Sequence, residues 1–184
     1  LFSELKIEDL IGLIKKFQEL AGLIPSGELN EKTLKVMEWP RCGQVDFPED
    51  YLNLIENATN GNKWGKKNLT YYIASLDSDL PAEVWDETIE KSLLAWSEVA
   101  DLKFSRVNSQ QSANLVYRIG QGNADNLDGP SGTLAYAYLV PTQNYMGQSL
   151  CVIDASETWV VNSNQRGILL LNVVIHESGH LLNL

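Results

Sequence analysis

Histidine occurs only twice in this 184-residue chain, and both copies fall in one five-residue window, His176-Glu177-Ser178-Gly179-His180. On a helix, positions four apart share a face, so both imidazoles can reach one ion while Glu177 stands beside it. Zinc favours neutral imidazole nitrogen at about 2.0–2.1 Å, and a catalytic site keeps one position open for water. The metal draws the pKa of that water down towards about 7, and Glu177 is placed to take its proton. Zinc ordinarily takes three protein ligands besides water. The sequence holds no third histidine and its last residue is Leu184, so the expectation is a third ligand past that point or none. With two histidines alone, zinc would be under-coordinated, and the 184 residues are expected to be a feeble or inactive catalyst.

A second stretch has chemical content: Pro40-Arg41-Cys42-Gly43-Gln44-Val45-Asp46. A thiolate is a good zinc ligand, and one bound at a catalytic zinc would take the position that water needs. Arg41 and Asp46 can pair and fix the loop. Taken alone, an ordinary packed or surface thiol beside an ion pair explains the stretch as well.

These groups need elements to hold them. Ile7, Leu10, Ile11, Ile14, Phe17 and Leu20 recur at helical spacing, and Gly22 sits where that helix should stop. Asn30 can cap a second helix carrying Leu34, Val36 and Met37. Residues 39–62, rich in Pro, Gly, Asp and Asn, show no sustained period and read as linker. Leu69–Ile73 is a strand candidate, and Pro81 opens a helix with Trp85, Ile89, Leu93, Trp96 and Ala100 on one face. Strands are expected over 103–107, 114–119 and 133–140, with a Gly-, Asn- and Asp-rich loop over 120–132. The last helix is expected from near Arg166.

Composition narrows the function classes. Fourteen basic against 24 acidic side chains give a formal net charge of -10, which disfavours nucleic acid and anionic membrane surfaces. No apolar run approaches the roughly 20 residues of a membrane span. Two cysteines are too few for a disulfide framework, although a Cys42–Cys151 bridge is a minor alternative. The chain opens at Leu1 without an initiator Met, as a processed chain or a piece of one would. Asn57-Ala58-Thr59 and Asn68-Leu69-Thr70 match the glycosylation acceptor pattern, which suits a secreted protein.

Pro40-Arg41-Cys42-Gly43 upstream of His176-Glu177-x-x-His180 resembles the zymogen of a matrix metalloproteinase, or matrixin. That family's cysteine switch reads PRCGxPD and its zinc helix HExxHxxGxxH. Lys63-Trp64 and Leu69-Thr70-Tyr71 are similar to the start of its catalytic domain. Asp128-Gly129-Pro130-Ser131-Gly132-Thr133-Leu134-Ala135 resembles its DGPGGxLA loop and edge strand, and Glu157-Thr158-Trp159 matches its ETW. The resemblance implies an α+β fold. A small helical, peptidoglycan-binding-like prodomain would occupy 1–38, a cysteine-switch and activation linker 39–60, and a metzincin catalytic subdomain 61–184. That subdomain would hold a twisted mixed sheet with an antiparallel edge strand and two long helices.

The resemblance also implies roles. His176 and His180 would ligate one catalytic zinc, Glu177 would be the general base, and Cys42 would block the metal in a latent form. Asp128, Asp154 and Glu157, with the carbonyls of Gly129, Ser131 and Thr133, would hold a structural calcium. Ala135 would bind an extended peptide by strand addition, and Asn172 and Val173 would line the pocket beyond the scissile bond. The partners implied are a protein or peptide substrate and an activating protease acting between about Asp50 and Gly61, on a secreted, extracellular monomer.

The chain also departs from the pattern. Val45 replaces a proline of the switch, and Asn183 stands at a turn where the family has Gly, a place Asn tolerates. Gln121, Asn123, Tyr136 and Val152 occupy the places of the family's second, structural zinc, so that site is expected to be lost, with Tyr136 and Val152 packing in its place. Asn114 and Leu150 weaken a second calcium site. Cys151 has no assigned role. These losses leave one alternative from another class: a non-catalytic matrixin-like protein that binds peptides along Ala135, or a matrix or cell-wall component.

Overall fold

The computed structural model describes residues 7–43, 62–74, 80–142 and 144–184. The Arg41–Asp46 pairing, Val45, the Asn57 acceptor and the activation segment fall outside these residues, or on side chains that are not described. The chain divides into two compact units, one ending at Pro40 and the other running from Arg41 to Leu184.

The first unit holds α1 (Ile7–Leu20) and α2 (Glu31–Met37). Gly22 ends α1 with φ +66°, and the Leu23 amide reaches back to the Gln18 carbonyl at 2.7 Å. Asn30 caps α2 through Oδ1, which accepts from the Thr33 amide at 3.0 Å. The centre of this unit is polar. Gln18 is fully buried; its Nε2 lies 2.9 Å from both Thr33 Oγ1 and the Glu28 carbonyl, and its Oε1 accepts from the Gly27 amide. Ile7, Leu10, Ile11, Leu34 and Met37, read at helical spacing as apolar faces, stay exposed. Some 40 residues enclose too little volume to bury two apolar helix faces.

The second unit is built on a mixed sheet. Its strands are β1 (Arg41–Cys42), β2 (Asn68–Ile73), β3 (Lys103–Arg106), β4 (Leu115–Gly120), β5 (Thr133–Ala137) and β6 (Ser149–Asp154), in spatial order β1-β5-β6-β4-β2-β3. All pairings are parallel except β5 with β6. Two helices, α3 (Ala82–Val99) and α4 (Leu170–Leu181), share one core with the sheet. Alternation along β4 sends Leu115 and Tyr117 into this core. Trp85, Ile89 and Leu93 of α3 meet Leu170, Val174 and Leu181 of α4 there. The Trp64 indole donates to the Leu181 carbonyl at 2.8 Å, tying the start of the unit to the end of α4.

Four local expectations change. Residues 41–42 are a strand, β1, because their backbone pairs with β5, a partner that no local period reveals. β5 stops at Ala137, short of Val140. β6 was not anticipated; every residue but the half-buried Leu150 is buried, on both faces, so it lacks the alternation that marks a half-buried strand. The last helix begins at Leu170, because Ile168–Leu169 first form a short strand, β8, paired with β7 (Trp159–Val160).

Candidate metal centre

Helix α4 carries both histidines, and their Nε2 atoms face each other at 3.1 Å. The His180 Nδ1 lies 2.9 Å from the Leu184 carbonyl, which assigns the proton to Nδ1 and leaves the Nε2 lone pair pointing inward. That carbonyl is in reach because the chain turns back after the helix. Asn183 adopts φ +74°, its Nδ2 donates to the Asn62 carbonyl at 2.9 Å, and the Leu184 amide bonds the Gly179 carbonyl at 3.0 Å. The left-handed turn expected at Asn183 is therefore present.

Cys42 completes the set. One ligand atom from each of Cys42, His176 and His180 lies within 4.8 Å of the others, the only such group of three His, Cys, Asp or Glu among the described residues. β1 delivers the thiol: Cys42 pairs with Ala135, and the Gly43 amide donates to the Ala135 carbonyl at 2.7 Å. Two imidazole nitrogens and a sulfur converging from one helix and one strand match the donor chemistry of tetrahedral zinc. Two neutral nitrogen lone pairs at 3.1 Å repel unless a proton or a cation sits between them. The residues fit a zinc ion.

Glu177 lies fully buried beside this set. Neither Oε1 nor Oε2 has a hydrogen-bond partner among the described residues. Desolvation lifts the carboxyl pKa to about 7, and the neighbouring Cys42 thiol pulls it back in part. Burial and the neighbouring His180 lower the pKa of His176, which favours the neutral ring a metal requires. Cys151 is buried behind the site, its thiol pushed up by desolvation and by nearby Glu177 and Cys42. The two cysteines are not bridged.

Of the expected calcium residues, Asp128, Gly129 and Ser131 lie on the loop before β5, Thr133 begins β5, Asp154 ends β6, and Glu157 lies on the loop beyond it. Asp154 is fully buried; its Oδ1 accepts from the Ser156 amide and hydroxyl, and its Oδ2 has no partner among the described residues. Glu157 accepts from the Ser131 amide at 2.7 Å, and Asp128 accepts from the Thr133 amide at 2.6 Å. Burial chiefly raises the Glu157 pKa, with Asp154 and Asp128 adding to the rise. The three carboxylates do not gather as closely as the zinc set, but an unpaired buried oxygen among like charges suits a hard cation. Gly129 and Ser131 shape this loop with φ +89° and +69°.

Gln121, Asn123, Tyr136 and Val152, expected at the places of the family's second zinc, divide between surface and core. Gln121 and Asn123 are exposed, whereas Tyr136 and Val152 are buried and pack with Leu127. Arg118 pairs with Asp125 at 2.6 Å, and Asp125 also accepts from the Gln121 amide. Asn114 serves as a cross-strand link, accepting from the Thr70 amide at 3.0 Å and donating to the Gly147 carbonyl. Ala135 is buried on β5; on α4, Asn172 is exposed and Val173 half-buried, one turn ahead of His176. The sequence reading missed Ser92, Tyr117 and Ser178, which join behind the histidines. Their signal was a hydroxyl at core-facing positions of three separate elements.

A family model described as Matrixin matches residues 63–184. The chain is 37% identical over 174 residues to an interstitial collagenase of Equus caballus, covering 93% of this chain and 35% of that protein. It is 34% identical over 177 residues to matrix metalloproteinase-20 of Homo sapiens, covering 95% and 35%. It is 33% identical over 182 residues to a matrilysin of Mus musculus, covering 97% and 65%. The chain thus spans about a third of the length of the first two relatives.

Proposed function

The chain belongs to the matrixin family, and on that premise we propose that it is the latent form of a secreted zinc endopeptidase acting on extracellular proteins. The observation that carries the reading is the convergence of Cys42 with His176 and His180 within 4.8 Å. A zinc ion held there would supply Lewis acidity at a peptide carbonyl. The protein's own groups do the rest. Glu177, buried and raised to about 7, can take a proton from water and return it to the leaving amine. The His180 Nδ1–Leu184 bond fixes the ring so that Nε2 faces the ligand set. Cys42 holds the position that water would need, and β1 covers the outer edge of β5, where a substrate strand would pair. Asn172 and Val173 stand where the side chain beyond the scissile bond would lie. In this reading residues 1–38 are a prodomain, one zinc is bound rather than two, and calcium binds at Asp128, Asp154 and Glu157 with the Gly129, Ser131 and Thr133 carbonyls.

Cobalt(II) substitution tests it. The chain should bind one cobalt ion with an intense near-ultraviolet thiolate absorption, and Cys42→Ser should abolish that band while retaining weaker visible bands. If the thiolate band survives in Cys42→Ser, or if alkylation of Cys42 proceeds at one rate with and without metal, the latent ligand set is refuted.

A further inference from the structure

Behind the histidines, three buried hydroxyls meet. Tyr117 OH lies 2.8 Å from Ser178 Oγ, and Ser178 Oγ lies 2.8 Å from Ser92 Oγ. Ser92 Oγ also reaches the Val174 carbonyl at 3.1 Å. All three side chains are fully buried, and they come from β4, α4 and α3 in turn. Three protons serve three contacts in one order only: Tyr117 donates to Ser178, Ser178 to Ser92, and Ser92 to the Val174 carbonyl.

The chain ends on the backbone of the helix that carries His176, Glu177 and His180. At about 100° of turn per residue, Ser178 points about 180° away from the midpoint of the two histidines. The trio therefore grips α4 on the face directly opposite the ligand set. Buried hydroxyls left unpaired are costly in an apolar core, so a rotation of α4 that separates Ser178 from its partners is penalised. Hydrocarbon packing also resists rotation, but only hydrogen bonds fix the direction in which a buried polar group must point.

We propose that Tyr117, Ser178 and Ser92 are positioning residues that set the rotation of α4, and so aim the two histidines and Glu177 at the metal. This rests on the metal reading above. None of the three touches the ligand atoms, so their effect passes through the helix.

The test uses the whole chain with cobalt(II) as probe and zinc as competitor. Tyr117→Phe keeps the ring and removes the donor; Ser178→Ala and Ser92→Ala break the middle and far links. A group bonded directly to a ligating histidine is worth about 10–100-fold in metal affinity; acting one step removed, through the helix, each of these substitutions should weaken affinity by up to about tenfold. The visible cobalt bands should shift in position or intensity as well, because the ligand geometry changes. A merely structural role would lower the melting temperature of the metal-free chain and leave the spectrum of the loaded chain unaltered. Tyr117→Phe with the parent's affinity and spectrum overturns the inference, even if the serine variants fail to fold. Failure of the unsubstituted chain to bind cobalt overturns the metal reading instead, and this inference with it.

Discussion

Gly179 sits inside the metal helix, facing α3. A Cβ at this position would stand 2.9 Å from Cζ2 of Trp96. The ring cannot simply swing clear, because its Nε1 donates to the Ile175 carbonyl at 3.0 Å. Gly179→Ala therefore sets two effects against each other. Alanine in a helix interior gains about 1 kcal/mol over glycine. Overpacking a well-fitted contact costs about 1–3 kcal/mol, and displacing the indole forfeits about 1 kcal/mol of hydrogen bond. The overpacking side wins, with a net destabilisation of about 1–3 kcal/mol. For a unit of this size that lowers the melting temperature by about 2–12 °C. Calorimetry or circular dichroism on the metal-free chain reads the change. A cycle with Trp96→Phe identifies the cause, since the smaller ring should make the alanine neutral or stabilising. A rise in melting temperature for Gly179→Ala alone, or additive effects of the two substitutions, would refute the close-contact argument.

Two further outcomes are expected. Metal analysis of a zinc-replete chain should find one zinc per chain and bound calcium; calcium at about a hundredfold over its Kd should add about 2.7 kcal/mol, and Asp154→Ala should remove most of the thermal shift, so two zinc ions or a calcium-indifferent melting curve would contradict the site assignments. Arg118 first, and then the Gln121 amide, hold the Asp125 pKa below its usual value. Its contribution to stability is therefore present above the unfolded carboxyl value of about 3.9 and lost as pH falls through the depressed one. Amide exchange in 120–132 should accelerate over that acid range and Arg118→Met should flatten the response; an unchanged pH response in Arg118→Met would show that the pair does not pin the loop.

What could be read from the sequence tracks how local each feature is. His176 and His180 need only the helical repeat to share a face, so the spacing alone placed them together. Trp85, Ile89 and Leu93 likewise announced a buried helix face, and all three are buried. β6 escaped because a strand covered on both sides reads as a short apolar run, which periodicity cannot tell from buried helix. Ile168 and Leu169 were absorbed into the final helix for the same reason, since nothing apolar or polar separates them from Leu170. Cys42 was assigned through its resemblance to a switch motif, because its pairing with Ala135 spans more than ninety positions and leaves no local trace.

The polar trio marks the other limit. Ser178 is 61 positions from Tyr117 and 86 from Ser92, and Tyr117 lies 25 beyond Ser92, so no periodicity window of about 11–18 residues contains any two of them. Each looks unremarkable alone: a serine between two histidines, a tyrosine in a strand, a serine in a helix. Their meaning arises only when β4, α3 and α4 stack on one another. A motif reports the groups that face the metal, but the reverse face of the same helix decides where they point. In this chain that face sets the hydrogen-bonded Ser178 beside the apolar Val174 and Leu181, within a mainly apolar core. Directional bonds at that place fix the rotation of α4, and losing one is costly to stability chiefly where it strands a buried donor. Tyr117→Phe strands no donor and should therefore move the metal's affinity and spectrum more than the melting point, the opposite of what Gly179→Ala should do; Ser178→Ala and Ser92→Ala each strand a buried hydroxyl and should lower the melting point as well.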